Sequence, residues 1–322
     1  MRSRIRRAVA AVVVLTVIGS TTAATGRPDP YDAPGPLPEL SAGTLNAHYE
    51  AARREIVRAR ATALRVGDGG RVRALSAFLS PGRRFLSFDA RGHGRAVEVI
   101  GDLAAADRVA VVVPGADSTL ASYDSGKFVG GGSRALYDRA LDERARADGA
   151  GPRLAVIAWL GYDTPSTLGP GVLGAARAGD GARGLRRLVT DLHRTNAHAR
   201  FALLCHSYGS VVCAKAAHPL ASQPVDEIAL FGSPGTTKRD AAALGTPAHV
   251  WAGRARGDWM RYVPNIRFLG VGFGADPVSR GFGAEVFDAG SGPHSGYLRP
   301  GSRALGNLTL IALGRDREVT RA

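Results

Sequence analysis

The chain has 322 residues, 45% of them hydrophobic and 22% charged, an ordinary globular composition with ample material for one large domain or two small ones. Its net charge of +14 invites a nucleic-acid reading, yet only three of the 42 basic residues are lysine, and the arginines are spread along the whole chain beside Ala and Gly. That spread is the drift of a GC-rich genome and not a built patch, so nucleic acid is excluded as the expected partner; the charge leaves a loose attraction to an anionic cell envelope.

Arg2, Arg4, Arg6 and Arg7 open the chain, residues 8–18 are apolar apart from Thr16, and Ser20-Thr21-Thr22-Ala23-Ala24 supplies small residues. This layout predicts a secretory signal peptide over residues 1–24 and a secreted protein. The apolar run falls short of the ~20 residues that span a bilayer, and an uncleaved signal anchor is the alternative. Residues 25–40 carry Pro28, Pro30, Pro34, Pro36 and Pro38 and read as an extended, partly disordered linker. An N-terminal helical region is expected over 41–84. In it Leu45, Tyr49, Ala52, Ile56, Ala59 and Ala63 recur at helical spacing in a helix over 44–65, and a short helix over 71–78 stops at Ser80-Pro81-Gly82.

From residue 85 the pattern alternates. Strands are predicted over 85–89 and 95–100, joined as a hairpin through Gly92-His93-Gly94, then over 108–113, 154–159, 201–205, 228–231, 248–252 and 285–287. Helices are predicted over 134–147, 184–193, 211–217 and 301–313. Residues 167–184, rich in glycine, read as a long loop where a lid could sit. Apolar strands alternating with helices predict an α/β fold with a mostly parallel sheet covered on both faces, over residues 85–322.

Within that frame, Phe201-Ala202-Leu203-Leu204-Cys205-His206-Ser207-Tyr208-Gly209 is a strand running into a sharp turn before a helix. It fits a nucleophile elbow with Ser207 at the tip, except that Cys205 stands where the G-x-S-x-G pattern has its first glycine. A serine needs a base and a group that orients the base. Of the three histidines after Ser207, His218 lies far along the elbow helix and His249 inside a strand. His294 sits in the loop after the last strand, where the base belongs. Asp258 follows the 248–252 strand and is the favoured acid. Asp276 and Asp288 are rivals, Asp226 precedes its strand at the wrong end of the sheet, and Asp240 reads as a helix-surface residue. Backbone N–H groups of Tyr208 and Ala116 are the expected oxyanion donors, Ala116 lying in the turn after the 108–113 strand.

The two cysteines, Cys205 and Cys213, lie on the elbow strand and the elbow helix. A strand rises ~3.3 Å and a helix ~1.5 Å per residue, so both reach a similar depth below the tip. A disulfide and two buried thiols are both compatible with that placement. No zinc, calcium, Walker or dinucleotide spacing is present, and no cofactor is expected.

Val112-Val113-Pro114-Gly115, Gly161-Tyr162-Asp163-Thr164-Pro165, His206-Ser207-Tyr208-Gly209-Ser210, Gly232-Ser233-Pro234-Gly235 and Gly292-Pro293-His294-Ser295-Gly296-Tyr297 occur in this order. Together they resemble an actinobacterial alpha/beta-hydrolase family of largely uncharacterised function, over roughly residues 85–312. The resemblance implies a serine-hydrolase fold with Ser207, Asp258 and His294 as its triad, and implies no substrate. Asp163, in a recurring motif of that family, reads as structural, bonding the turn before Pro165. The expectation is an exported serine esterase acting on a small-molecule, lipid or glycan ester. Peptidase and acyltransferase activity share the machinery, and an inactive envelope-binding module is the alternative of another class.

Overall fold

The computed structural model describes residues 28–169, 171, 174–265 and 272–322. The signal sequence expected over 1–24 lies outside these residues. Eight strands, β1 (Arg84–Asp89), β2 (Arg95–Ile100), β3 (Arg108–Val113), β4 (Leu154–Leu160), β5 (Arg200–His206), β6 (Val225–Phe231), β7 (His249–Gly253) and β8 (Glu285–Val286), form one sheet. Its order is β1-β2-β4-β3-β5-β6-β7-β8. β1 and β2 pair antiparallel, as do β2 and β4; every later pairing is parallel.

The helices are α1 (Leu45–Val66), α2 (Gly69–Phe78), α3 (Val129–Arg146), α4 (Ala176–Thr195), α5 (Gly209–Ala217) and α6 (Arg303–Ala312). Successive strand residues face opposite ways, so each strand feeds two cores. Val109, Val111, Leu203, Cys205 and Leu230 pack with α4 and α5. Ala110, Val112, Leu204, Ala229 and Phe231 pack with α1, α2, α3 and α6. Burial on both faces is why these strands read as unbroken apolar runs.

Three expectations are corrected. Residues 28–40 are irregular but laid against the domain: Tyr31 and Leu40 are buried, Asp29 accepts from the Gly92 N–H at 2.6 Å, and Pro38 O meets His48 Nε2 at 2.9 Å. α3 begins five residues before the expected 134. Gly130-Gly131-Gly132 reads as loop, yet a Cβ on Gly132 would lie 2.6 Å from Leu298, so the missing side chain is what lets this turn pack. α4 occupies part of the supposed 167–184 loop. Its buried stripe Ala178, Ala182, Leu185, Val189 and Leu192 keeps helical spacing through small residues that hydrophobicity alone passes over. Among the described residues no helix is long and apolar enough to cross a membrane.

Cys205 and Cys213 are disulfide-bonded, with Cα atoms 6.4 Å apart. Position 205 therefore carries a Cβ because its sulfur ties β5 to α5. For this eight-residue separation the chain-entropy model gives about 2.5 kcal/mol. The Cys205→Ala, Cys213→Ala pair should melt about 3–5 °C below wild type in calorimetry, and an unchanged melting temperature would remove the staple from the account.

Candidate active site

In an open α/β sheet the crevice lies where the strand order reverses, outside the C-terminal ends. Here β3 is flanked by β4 on one side and β5 on the other, so the tips of β3 and β5 border that crevice. The chain leaves β5 into Ser207, whose φ of +53° is a left-handed conformation that a non-glycine residue adopts only under constraint. The constraint is visible. Ser207 N–H donates to Phe231 O at 2.9 Å, and the next turn is held by Ser210 N–H to Ser207 O at 2.9 Å.

Ser207 Oγ lies 3.0 Å from His294 Nε2, and His294 Nδ1 lies 2.9 and 3.0 Å from the two oxygens of Asp258. A carboxylate at Nδ1 puts the ring proton there and leaves Nε2 to accept from the serine hydroxyl. Asp258 is fully buried. Burial pushes its carboxyl up, but hydrogen bonds from His294 and Tyr297 outweigh this and hold it below the usual carboxylate value. It also caps the short 3₁₀ turn Trp259–Tyr262, accepting from Met260 N–H at 2.8 Å. The capping and base-orienting uses of an aspartate thus coincide in one residue.

The turn after β3 lies against Ser207: a Cβ on Gly115 would stand 2.7 Å from Ser207 Cβ and 3.2 Å from Oγ. Gly115 is required by that approach, and it brings the backbone of Ala116 beside the serine. Among the described residues, neither the Ala116 N–H nor the Tyr208 N–H has a backbone acceptor. They are free for an incoming oxyanion.

Two residues escaped the sequence reading although both stand inside quoted motifs. Tyr297 donates its hydroxyl to Asp258 Oδ2 at 2.6 Å and accepts from Ala255 N–H at 3.0 Å. Burial, then the neighbouring carboxylate, hold its phenol well above the ordinary range, so it stays a donor. His206 donates Nε2–H to the main-chain oxygen of His294 at 2.9 Å. Burial and then the His294 ring push the His206 imidazole down to about 3, which keeps it neutral. It anchors the loop that carries His294.

The rival residues are engaged elsewhere. Asp276 pairs with Arg254 at 2.6 Å and Asp288 with Arg303 at 3.3 Å. Asp226, at the N-terminal end of β6, pairs with Arg108 and Arg200. Asp240 caps a turn through Ala243 N–H. Asp163 does not bond the turn before Pro165; it pairs with Arg177 of α4, and the turn is held by Asp117 N–H to Pro165 O at 3.0 Å.

Metal-type side chains gather at the far end of the sheet. Among the described residues, Glu227, His249 and Asp316 each offer one ligand atom, all within 4.8 Å of one another. Their present partners are protein groups, with Trp251 Nε1–H donating to Glu227 at 2.7 Å and His249 Nε2 2.8 Å from Glu285. Burial pushes the Glu227 carboxyl up to about 7. An acid whose folded pKa exceeds its unfolded value contributes stability below about pH 4.5, lost as pH rises through 7. Glu227→Gln should therefore match wild type at about pH 4 and exceed it by about 2 kcal/mol above pH 8 in urea unfolding; equal stabilities at both pH values would contradict this.

The alpha/beta-hydrolase family model matches residues 89–268, more than half of the chain. The chain belongs to that family. The match ends before His294, so the position of this histidine comes from the fold itself. The chain is 32% identical over 254 residues to an uncharacterized protein of Mycobacterium tuberculosis, covering 69% of the present chain and 37% of the relative. An uncharacterized protein of Mycobacterium bovis is 32% identical over 177 residues, covering 53% of the chain and 65% of the relative. The chain thus spans little more than a third of the first relative and just under two thirds of the second. Among solved structures, esterase LipW from Mycobacterium marinum aligns over 87% of the present chain and 96% of its own, with 16% identity and a TM-score of 0.44.

Proposed function

We propose that this hydrolase is an exported serine esterase that cleaves carboxylic esters through an acyl-enzyme. The observation that carries the reading is the line of hydrogen bonds from Ser207 Oγ through His294 to Asp258. Ser207 Oγ attacks the acyl carbon while His294 Nε2 takes its proton, and the carbonyl oxygen becomes an oxyanion facing the N–H groups of Ala116 and Tyr208. Asp258 stabilises the imidazolium. Collapse breaks the bond to the alcohol oxygen, which leaves with the proton from His294. Water then adds to the acyl carbon, His294 takes its proton, and the acid departs as Ser207 regains its hydrogen.

Export rests on the N-terminal sequence and is consistent with the disulfide, since such bonds persist in oxidising compartments. The net charge of +14 favours loose, salt-sensitive contact with an anionic envelope. Stopped-flow mixing with p-nitrophenyl acetate tests the esterase reading. The expected trace is a burst approaching one equivalent of p-nitrophenol per enzyme, then steady turnover. Release no faster than with the Ser207→Ala protein would overturn it.

A further inference from the structure

The cavity over Ser207 has a volume of about 880 Å³ and a markedly apolar wall. Resting on the serine-hydrolase reading, we propose that it takes the acyl chain of a lipid-like ester, the chain running from Ser207 toward the start of α3. The sheet order gives the direction. β3, with the Gly115–Ala116 turn and α3 beyond it, lies on one side of β5; β7, with Asp258 and Trp259, lies on the other. His294 must protonate the leaving oxygen, so the alcohol departs on its side. That side is lined by Trp259, Met260, Val263 and Pro264 and is the more exposed one: Trp259 packs 5.0 Å from the His294 ring yet is 49% exposed, and Pro264 is exposed. The opposite wall is built from Val112, Phe128, Val129 and Leu298, with Val112 and Val129 in the buried core beneath α3.

Most polar side chains of the lining are already engaged, Ser295 next to His294 being the exception, and this argues against a glycan or peptide in this arm. Ser118 donates to Gly115 O, Thr167 to Asp117, Tyr297 to Asp258 and Tyr208 to Gly174 O. Sugar hydroxyls or peptide amides buried here would give up water without equivalent partners, which disfavours them. An alkyl chain asks for none. The charged Lys127 and Asp117 are both exposed and leave the buried wall uncharged.

The test is kcat/KM for p-nitrophenyl acetate, butyrate, octanoate and dodecanoate, each below its micelle concentration. Burial of each methylene supports up to about a fourfold gain, and a rise of about two orders from acetate to octanoate is expected. Val129→Trp fills the arm and should lower the octanoate-to-acetate ratio at least tenfold. Leu298→Trp repeats the test at a second wall position should the first variant not fold. A small fluorophosphonate that labels Ser207 while the chain-length profile stays flat or falls would overturn the acyl arm and leave the esterase reading intact. Acetate esters of long alcohols outperforming the long acyl esters would overturn the direction assigned to the chain. Absence of labelling would sink both.

Discussion

Ser207→Ala will lower kcat on any ester the wild-type enzyme turns over by about four to six orders of magnitude, leaving the melting temperature within a few degrees. The loss is large because His294 and Asp258 are arranged around one nucleophile and have nothing to activate once its oxygen is gone. A companion variant separates chemistry from folding. Ser207 holds φ at +53°, a conformation glycine adopts at no steric cost. Ser207→Gly should be as inactive as Ser207→Ala yet more stable than either protein with a Cβ at this position, by up to about 1 kcal/mol. Denaturant unfolding of the three proteins gives the comparison. Residual activity within a hundredfold of wild type would exclude Ser207 as nucleophile.

Asp258→Asn is the second large effect, a fall in kcat of about 10⁴. Three donors converge on the Asp258 oxygens: His294 Nδ1–H, Tyr297 O–H and Met260 N–H. An amide offers one acceptor and one donor group, so at least one of these donors would meet an N–H. If the imidazole yields, Nδ1 becomes the acceptor, Nε2 carries the proton, and the serine loses its base. If Tyr297 yields, its hydroxyl still accepts from Ala255 N–H, but its buried hydrogen is left without an acceptor, at a cost of about 1–3 kcal/mol. Steady-state rates with unfolding curves read both consequences. A less than tenfold loss of rate would mean that Asp258 serves as a turn cap and little more.

The sequence marks Ser207, Asp258 and His294 as candidates because the proposed roles follow chain order, with a nucleophile after one central strand, an acid after a later one and a base after the last, and the fold brings the three within hydrogen-bond distance. The strands were legible because burial on both faces leaves no polar alternation. What the sequence concealed was set by contacts distant in the chain. Tyr297 and His206 were in view as motif positions, but nothing local says that one donates to Asp258 and the other to the main chain of His294. The first turn of α3 is glycine because Tyr123 and Leu298 press on it, and composition alone reads that as loop. Residues 28–40 look like a free linker until Tyr31 is found under the Arg71 guanidinium, 4.4 Å from its ring centroid.

Activation of Ser207 by His294 is read by labelling with a fluorophosphonate followed by peptide mass mapping. A single adduct is expected on Ser207 in the wild-type protein, none in Ser207→Ala, and labelling slowed by at least about a hundredfold in a His294→Ala variant that remains folded. A wild-type protein that stays unmodified, or one labelled equally fast without His294, would contradict it.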